Sequence, residues 1–192
     1  MNIKINPPLW ALLIIITCLI SGCNIVPGLK HYVPPEGSNL GIEFDYPRNW
    51  KWVYRSKPLS IDLFEPDKPV YISGETPASS DAGVISIGVE VGISPERQDE
   101  RIKSWLEATD SMEAEVLEDK MIEIDGVSAR WMTSRIPERS EANPDFELYT
   151  IAVFVYENHN LYDLILEIPF ERREGEFVHD FTKMISTIEF VP

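Results

Sequence analysis

Ile85, Ile87, Val89 and Val91 alternate without a break with Ser86, Gly88, Glu90 and Gly92. A two-residue period sends successive side chains to opposite faces of a strand, so one face is apolar and the other polar. The pattern recurs along the chain. Ile42, Phe44 and Tyr46 alternate with Glu43 and Asp45 until Pro47. Trp50, Trp52 and Tyr54 alternate with Lys51 and Arg55 across a short Pro-Arg-Asn turn, and Ile61 and Leu63 continue with a third strand. A chain with this many alternating strands is expected to build a sheet.

The spacing of turn signals says how the strands connect. Residues 115–135 read as two strands joined by Asp125-Gly126, a dipeptide suited to the left-handed turn of a tight hairpin. Ile122 and Ile124 then face Val127, Ala129 and Trp131. Residues 147–168 read as a second hairpin, with 148–156 and 161–168 joined by Glu157-Asn158-His159-Asn160. Residues 65–83 hold three prolines and the polar run "ETPASSDAG", the composition of a long loop. Two helices interrupt the strands. Ser94-Pro95-Glu96 supplies a hydroxyl cap, a proline in the first turn and an acid near the positive dipole end, and Ile102, Trp105, Leu106 and Thr109 follow at helical spacing. Phe177, Val178, Phe181, Met184 and Ile185 mark a second helix, after which Ile188 and Phe190 form a short extended tail. Hairpins outnumber crossovers, which implies an α+β fold with a mainly antiparallel β-sheet flanked by helices.

The first forty residues differ in kind. Residues 9–20, "LWALLIIITCLI", are an apolar block shorter than the ~20 residues a spanning helix needs, with Lys4 as a thin positive flank. Ile20-Ser21-Gly22-Cys23 then resembles the lipobox of bacterial lipoproteins. That resemblance implies a diacylglyceryl group on the Cys23 thiol, cleavage after Gly22, and Cys23 as the mature N-terminus. Two or more acyl chains hold a protein stably at a membrane, where one holds it marginally. An uncleaved anchor and an ordinary secretory signal are the other readings of the block. Cys18 would be removed with it, so a disulfide to Cys23 is disfavoured. Residues 24–40, with three prolines and two glycines, read as a flexible tether and His31 within them as a solvated side chain. The chain is thus expected to divide into a signal peptide (1–23), a tether (24–40) and a folded domain (41–192). It would be held in the cell envelope on the extracytoplasmic side, on an inner or outer membrane that the sequence leaves open.

Three stretches of the folded part carry a further resemblance. "GIEFDYPRNWKW", "IDGVSARW" and "FVHDFTKMISTIEF" lie in that order between residues 41 and 191. Together they resemble the opening strand and turn, the middle hairpin and the closing helix of Mog1/PsbP-like domains. The resemblance implies an α-β-α sandwich. It also implies a non-catalytic docking role, because PsbP proteins are extrinsic subunits of photosystem II and Mog1 binds a small GTPase.

Chemistry-bearing residues form no recognisable site. His31, His159 and His179 have no partner pattern, and no nucleophile-elbow, zinc-protease, phosphate-loop or EF-hand motif occurs. Catalytic, cofactor and metal residues are therefore expected to be absent, with Cys23 the one assigned site. Glu113, Glu115, Glu118, Asp119, Glu123 and Asp125 crowd one stretch, but strand alternation splits them between faces, which favours a solvated acidic surface over a Ca²⁺ site. Lys+Arg 17 against Asp+Glu 32 gives a net charge of −15, a field that repels nucleic-acid phosphates. Trp50 and Trp52 are either core, the favoured reading, or a surface patch for a partner. The leading function is then a membrane-anchored module that docks onto a protein partner. A small-ligand or cation-binding module is the alternative, followed by an enzyme with an unrecognised site.

Overall fold

A computed structural model describes residues 28–36, 40–56, 59–64, 83–137 and 147–191. Strands β1 (Leu29–Tyr32) and β2 (Ile42–Pro47) lead, followed by β3 (Lys51–Ser56), β4 (Leu59–Phe64) and β5 (Val84–Val91). Helix α1 (Pro95–Ser111) connects β5 to β6 (Glu115–Ile124), β7 (Val127–Pro137), β8 (Glu147–Glu157) and β9 (Asn160–Pro169). A 3-10 turn at Phe170–Arg172, helix α2 (Glu176–Ile185) and β10 (Glu189–Phe190) close the chain. The main sheet has seven strands in the order β3-β4-β5-β9-β8-β7-β6, and a smaller one has three in the order β1-β2-β10. All pairs are antiparallel. This is the mainly antiparallel α+β architecture that the alternation pattern implies.

Each face of the large sheet is covered differently. On one face Ile85, Ile87, Ile151, Val153, Leu164 and Leu166 join Phe44 of the small sheet and Phe177, Phe181 and Met184 of α2 in one apolar cluster. On the other, Met132, Ala152, Phe154 and Leu161 pack with Ile102, Trp105 and Leu106 of α1. Trp105 meets Phe154 edge-on at 6.1 Å, which places the Trp105 side of α1 in the core, as its spacing predicts.

Turn chemistry explains the tight connections. Asp125 (φ 49°) and Gly126 (φ 77°) form the β6–β7 turn, and Asn158 (φ 50°) and His159 (φ 64°) the β8–β9 turn. The second loop is two residues long because Glu157 and Asn160 pair with each other. His159 is thereby a turn residue whose carbonyl accepts from Ile93 N–H at 2.9 Å.

Several expectations need correction. Residues 29–32 are a strand, not tether: β1 pairs Leu29 with Pro47 and Tyr32 with Phe44, and Tyr32 is buried. The proline-rich composition around it concealed four extended residues. The folded region therefore starts no later than Gly28, upstream of the expected boundary at 41. Across the Pro-Arg-Asn turn, β2 and β3 do not pair; they belong to different sheets. Trp50 falls in that turn and is buried against Phe177 (centroids 4.8 Å apart), whereas Trp52 is on β3 and 41% exposed. Ser94 occupies the N-cap of α1 in an extended conformation but makes no capping hydrogen bond. Its hydroxyl serves the Glu96 carboxylate instead, which lowers that carboxyl's pKa. The expected loop at 65–83 lies outside the described residues except for Gly83.

Gly83 shows how tightly α2 is seated, since a Cβ there would overlap the Phe177 ring. That ring is pinned by Trp50 and is 4% exposed, so it has no space to yield. Gly83→Ala should cost about 1–3 kcal/mol by overpacking. Urea unfolding of the variant, with an unchanged m-value and a lower midpoint, checks it.

Candidate interaction surfaces

Cys23 lies outside the described residues, as do Lys4 and the apolar block before it. The described region nonetheless fixes where the chain comes from. Arg48 N–H donates to the Gly28 carbonyl at 2.8 Å, so the chain enters β1 beside the β2–β3 turn.

His31 is no isolated solvated histidine. Its Nδ1 lies 2.9 Å from Asp45 Oδ1 and its Nε2 3.0 Å from Glu43 Oε2, both on the outward face of β2. With a carboxylate at each ring nitrogen the imidazolium form is favoured. The hydrogen bond to Glu43, then that to Asp45, holds the His31 pKa above its usual 6.5. On β10, Glu189 pairs with Glu43 and adds a further acid to the strand beside it. Both nitrogens are engaged, so His31 has no lone pair to offer a metal. The arrangement is a clasp that fastens β1 to β2.

The acidic stretch is distributed along and around β6. Arg130 makes two hydrogen bonds to Asp119, at 2.9 and 2.7 Å, and holds the Asp119 carboxyl below its ordinary pKa. Lys120 contacts Glu118 at 3.0 Å and Arg135 contacts Glu115 at 3.8 Å. The Asp125 carboxylate accepts from Phe190 N–H. Among the described residues no group of three or more His, Cys, Asp and Glu side chains is arranged to hold a metal ion.

What the acids share is an open edge. β6 ends the large sheet and pairs only with β7 among the described residues. Val116, Leu117 and Met121 are 45%, 43% and 63% exposed along it. Leu117 is an extra residue opposite β7, because Val116 pairs with Ser134 and Glu118 with Thr133. From Glu118 to Ile124 the register is regular. The pattern of the strand announced a hairpin; that its second side would stay unpaired depends on strand order, which no local pattern carries.

A buried polar row also went unseen in the sequence. Glu167, Thr150 and Ser134 are opposite one another on β9, β8 and β7. The Thr150 and Ser134 hydroxyls are buried without hydrogen-bond partners, and burial raises the Glu167 carboxyl pKa.

The geometry is that of the Mog1/PsbP-like fold. The chain is similar to cyanobacterial PsbP from Synechocystis sp. PCC 6803, with a TM-score of 0.53 and 15% identity, over 90% of this chain and 99% of that one. It is similar to the Ran-binding protein Mog1p of Saccharomyces cerevisiae, with a TM-score of 0.50 and 9% identity, over 85% and 95% of the two chains. A structure from Bacteroides thetaiotaomicron VPI-5482 matches with a TM-score of 0.53 and 13% identity, over 85% of this chain and 48% of that one, so the chain spans about half its length. No family model and no curated protein matches the sequence.

The clasp makes β1 pH-sensitive. A histidine pKa raised by folding stabilises β1 fully below about 6.5, and the contribution fades as pH rises through the folded-state value. Amide exchange at Leu29–Tyr32, corrected for intrinsic rates, should be slower at about pH 6 than at about pH 9, and His31→Phe should abolish the difference. An unchanged pH response in the variant would mean that another group fastens the strand.

Proposed function

We propose that this chain is a lipid-anchored protein on the extracytoplasmic side of the cell envelope, held through Cys23, whose domain docks non-catalytically onto a protein partner by the open edge of β6. The observation that carries the docking surface is that edge: among the described residues β6 has one unpaired side, and three exposed apolar side chains are gathered along it. An unpaired edge offers backbone N–H and C=O groups to an incoming extended segment, and alternate side chains then set specificity. Charge selects the occupant. Glu115, Glu118, Asp119 and Glu123 against Lys120 alone would set like charges opposite one another if a second copy paired with the strand. A basic extended segment of another protein meets complementary charge instead. The ion pairs with Arg130, Lys120 and Arg135 weaken the alternative of a cation-binding surface, because they already occupy carboxylates that such a site would use. The fold shared with a protein named for binding Ran supports a binding role.

A photo-crosslinking residue at Leu117, introduced in native membranes, should capture a partner at a lysine- and arginine-rich extended segment. Met121→Arg should lower that capture about tenfold without shifting the unfolding midpoint. Equal capture from Ser104 on α1, or capture of a second copy of this chain, would remove the β6 edge from the reading. The mass of the intact mature protein addresses the anchor separately: Cys23 should carry acyl mass, and a bare thiol would remove it.

A further inference from the structure

The corner at which the chain enters β1 differs from the rest of this acidic molecule. Among the described residues, Arg97, Arg101, Lys103, Lys120, Arg130, Arg135 and Arg173 contact carboxylates, and Arg172 is also engaged. The cations with no carboxylate partner among the described residues are Lys30, Arg48, Lys51 and Lys183, and the first three surround the chain's entry. Arg48 holds the Gly28 carbonyl, Lys30 is opposite Tyr46, and Lys51 opens β3 just past the turn. All three are exposed. Beside them Trp52 is 41% exposed, with its indole N–H donating to the Tyr46 hydroxyl at 3.1 Å and its ring edge-on to Tyr32 at 5.6 Å. Its ring is thus held by one margin and open at the other.

Chain length sets what this corner meets. With a strand beginning at Leu29, only residues 24–28 separate Cys23 from the fold. Five residues reach at most about 17 Å when fully extended. We infer that Lys30, Arg48, Lys51 and Trp52 form a membrane-facing patch that rests on anionic lipid headgroups; this deepens the proposed function and depends on the anchor at Cys23. The cations meet lipid phosphates, and the indole takes the boundary between headgroups and acyl chains, where an apolar ring with one polar N–H is favoured. The negative remainder of the domain is repelled by the same surface, so attraction at the corner and repulsion elsewhere turn the molecule one way. Antiparallel register keeps the β6–β7 turn at the opposite end of the strands. The β6 edge is six strand spacings, roughly 29 Å, from β3. The bilayer and a partner on β6 therefore occupy opposite sides of the sheet.

The test uses the full lipidated protein in vesicles of phosphatidylglycerol and phosphatidylcholine, with one spin label at Asn49→Cys or Ser128→Cys. A paramagnetic metal chelated to lipid headgroups should relax the label at 49 severalfold more than that at 128. Combining Lys30→Gln, Arg48→Gln and Lys51→Gln, or using phosphatidylcholine alone, should remove most of the difference. Equal relaxation at the two positions in a lipidated protein overturns the inference and leaves the anchor standing. A preparation whose intact mass shows a bare Cys23 overturns the anchor and this inference with it.

Discussion

The pairing of β5 with β9 is the contact on which the architecture depends. It joins strands that are separated in the chain by α1 and three further strands, through an eight-residue register from Val84↔Glu167 to Val91↔Asn160. Without it, β3 to β5 and β6 to β9 would be two small sheets, each with two open edges. With it there is one sheet, and Ile85 and Ile87 line up with Leu164 and Leu166 over a shared core. The close approach has a local requirement, because a Cβ at Gly88 would overlap the Asp163 carboxylate that Arg101 of α1 holds at 3.1 Å. A single glycine thus permits both the strand pair and the ion pair that seats the helix.

Strand order then dictates the rest. β5 is beside β9 but the next strand in the chain, β6, is at the far edge, so α1 must cross the sheet face on its way and cover Met132, Ala152 and Phe154. The other face is left to α2 and the small sheet, where Trp50, Phe177 and Phe181 fill the gap between layers. An edge strand is left over at each side. Among the described residues, one is β3, near the entry of the chain and the cations of that corner; the other is β6, with its acids and exposed apolar groups. The two surfaces of interest owe their separation to the topology alone.

Much of the fold was legible because it rests on local rules. Asp125-Gly126 predicts a tight hairpin since both residues tolerate positive φ, and the alternation around Ile87 predicts which side chains face the core. β1 was not legible. Four residues between prolines and glycines carry no sustained period, and Leu29–Tyr32 is extended because β2 has an unpaired side and His31 finds Glu43 and Asp45 there. The two tryptophans illustrate the same limit: identical spacing put Trp50 and Trp52 on one face, yet a turn ends β2 before Trp50 and sends the two rings to different environments.

The sequence by itself determined most of the strands, both helices, the Asp125-Gly126 turn and the acidic balance, because each is written in residues within a few positions of one another. Only the tertiary structure decided that β5 meets β9, that β6 has a free side among the described residues, that His31 bridges two carboxylates, and that Arg48 holds the chain where it enters β1. Those depend on contacts between segments far apart in the chain. A local pattern says which way a side chain faces; what it faces is settled by the neighbouring strand, which a hydrophobic period does not name.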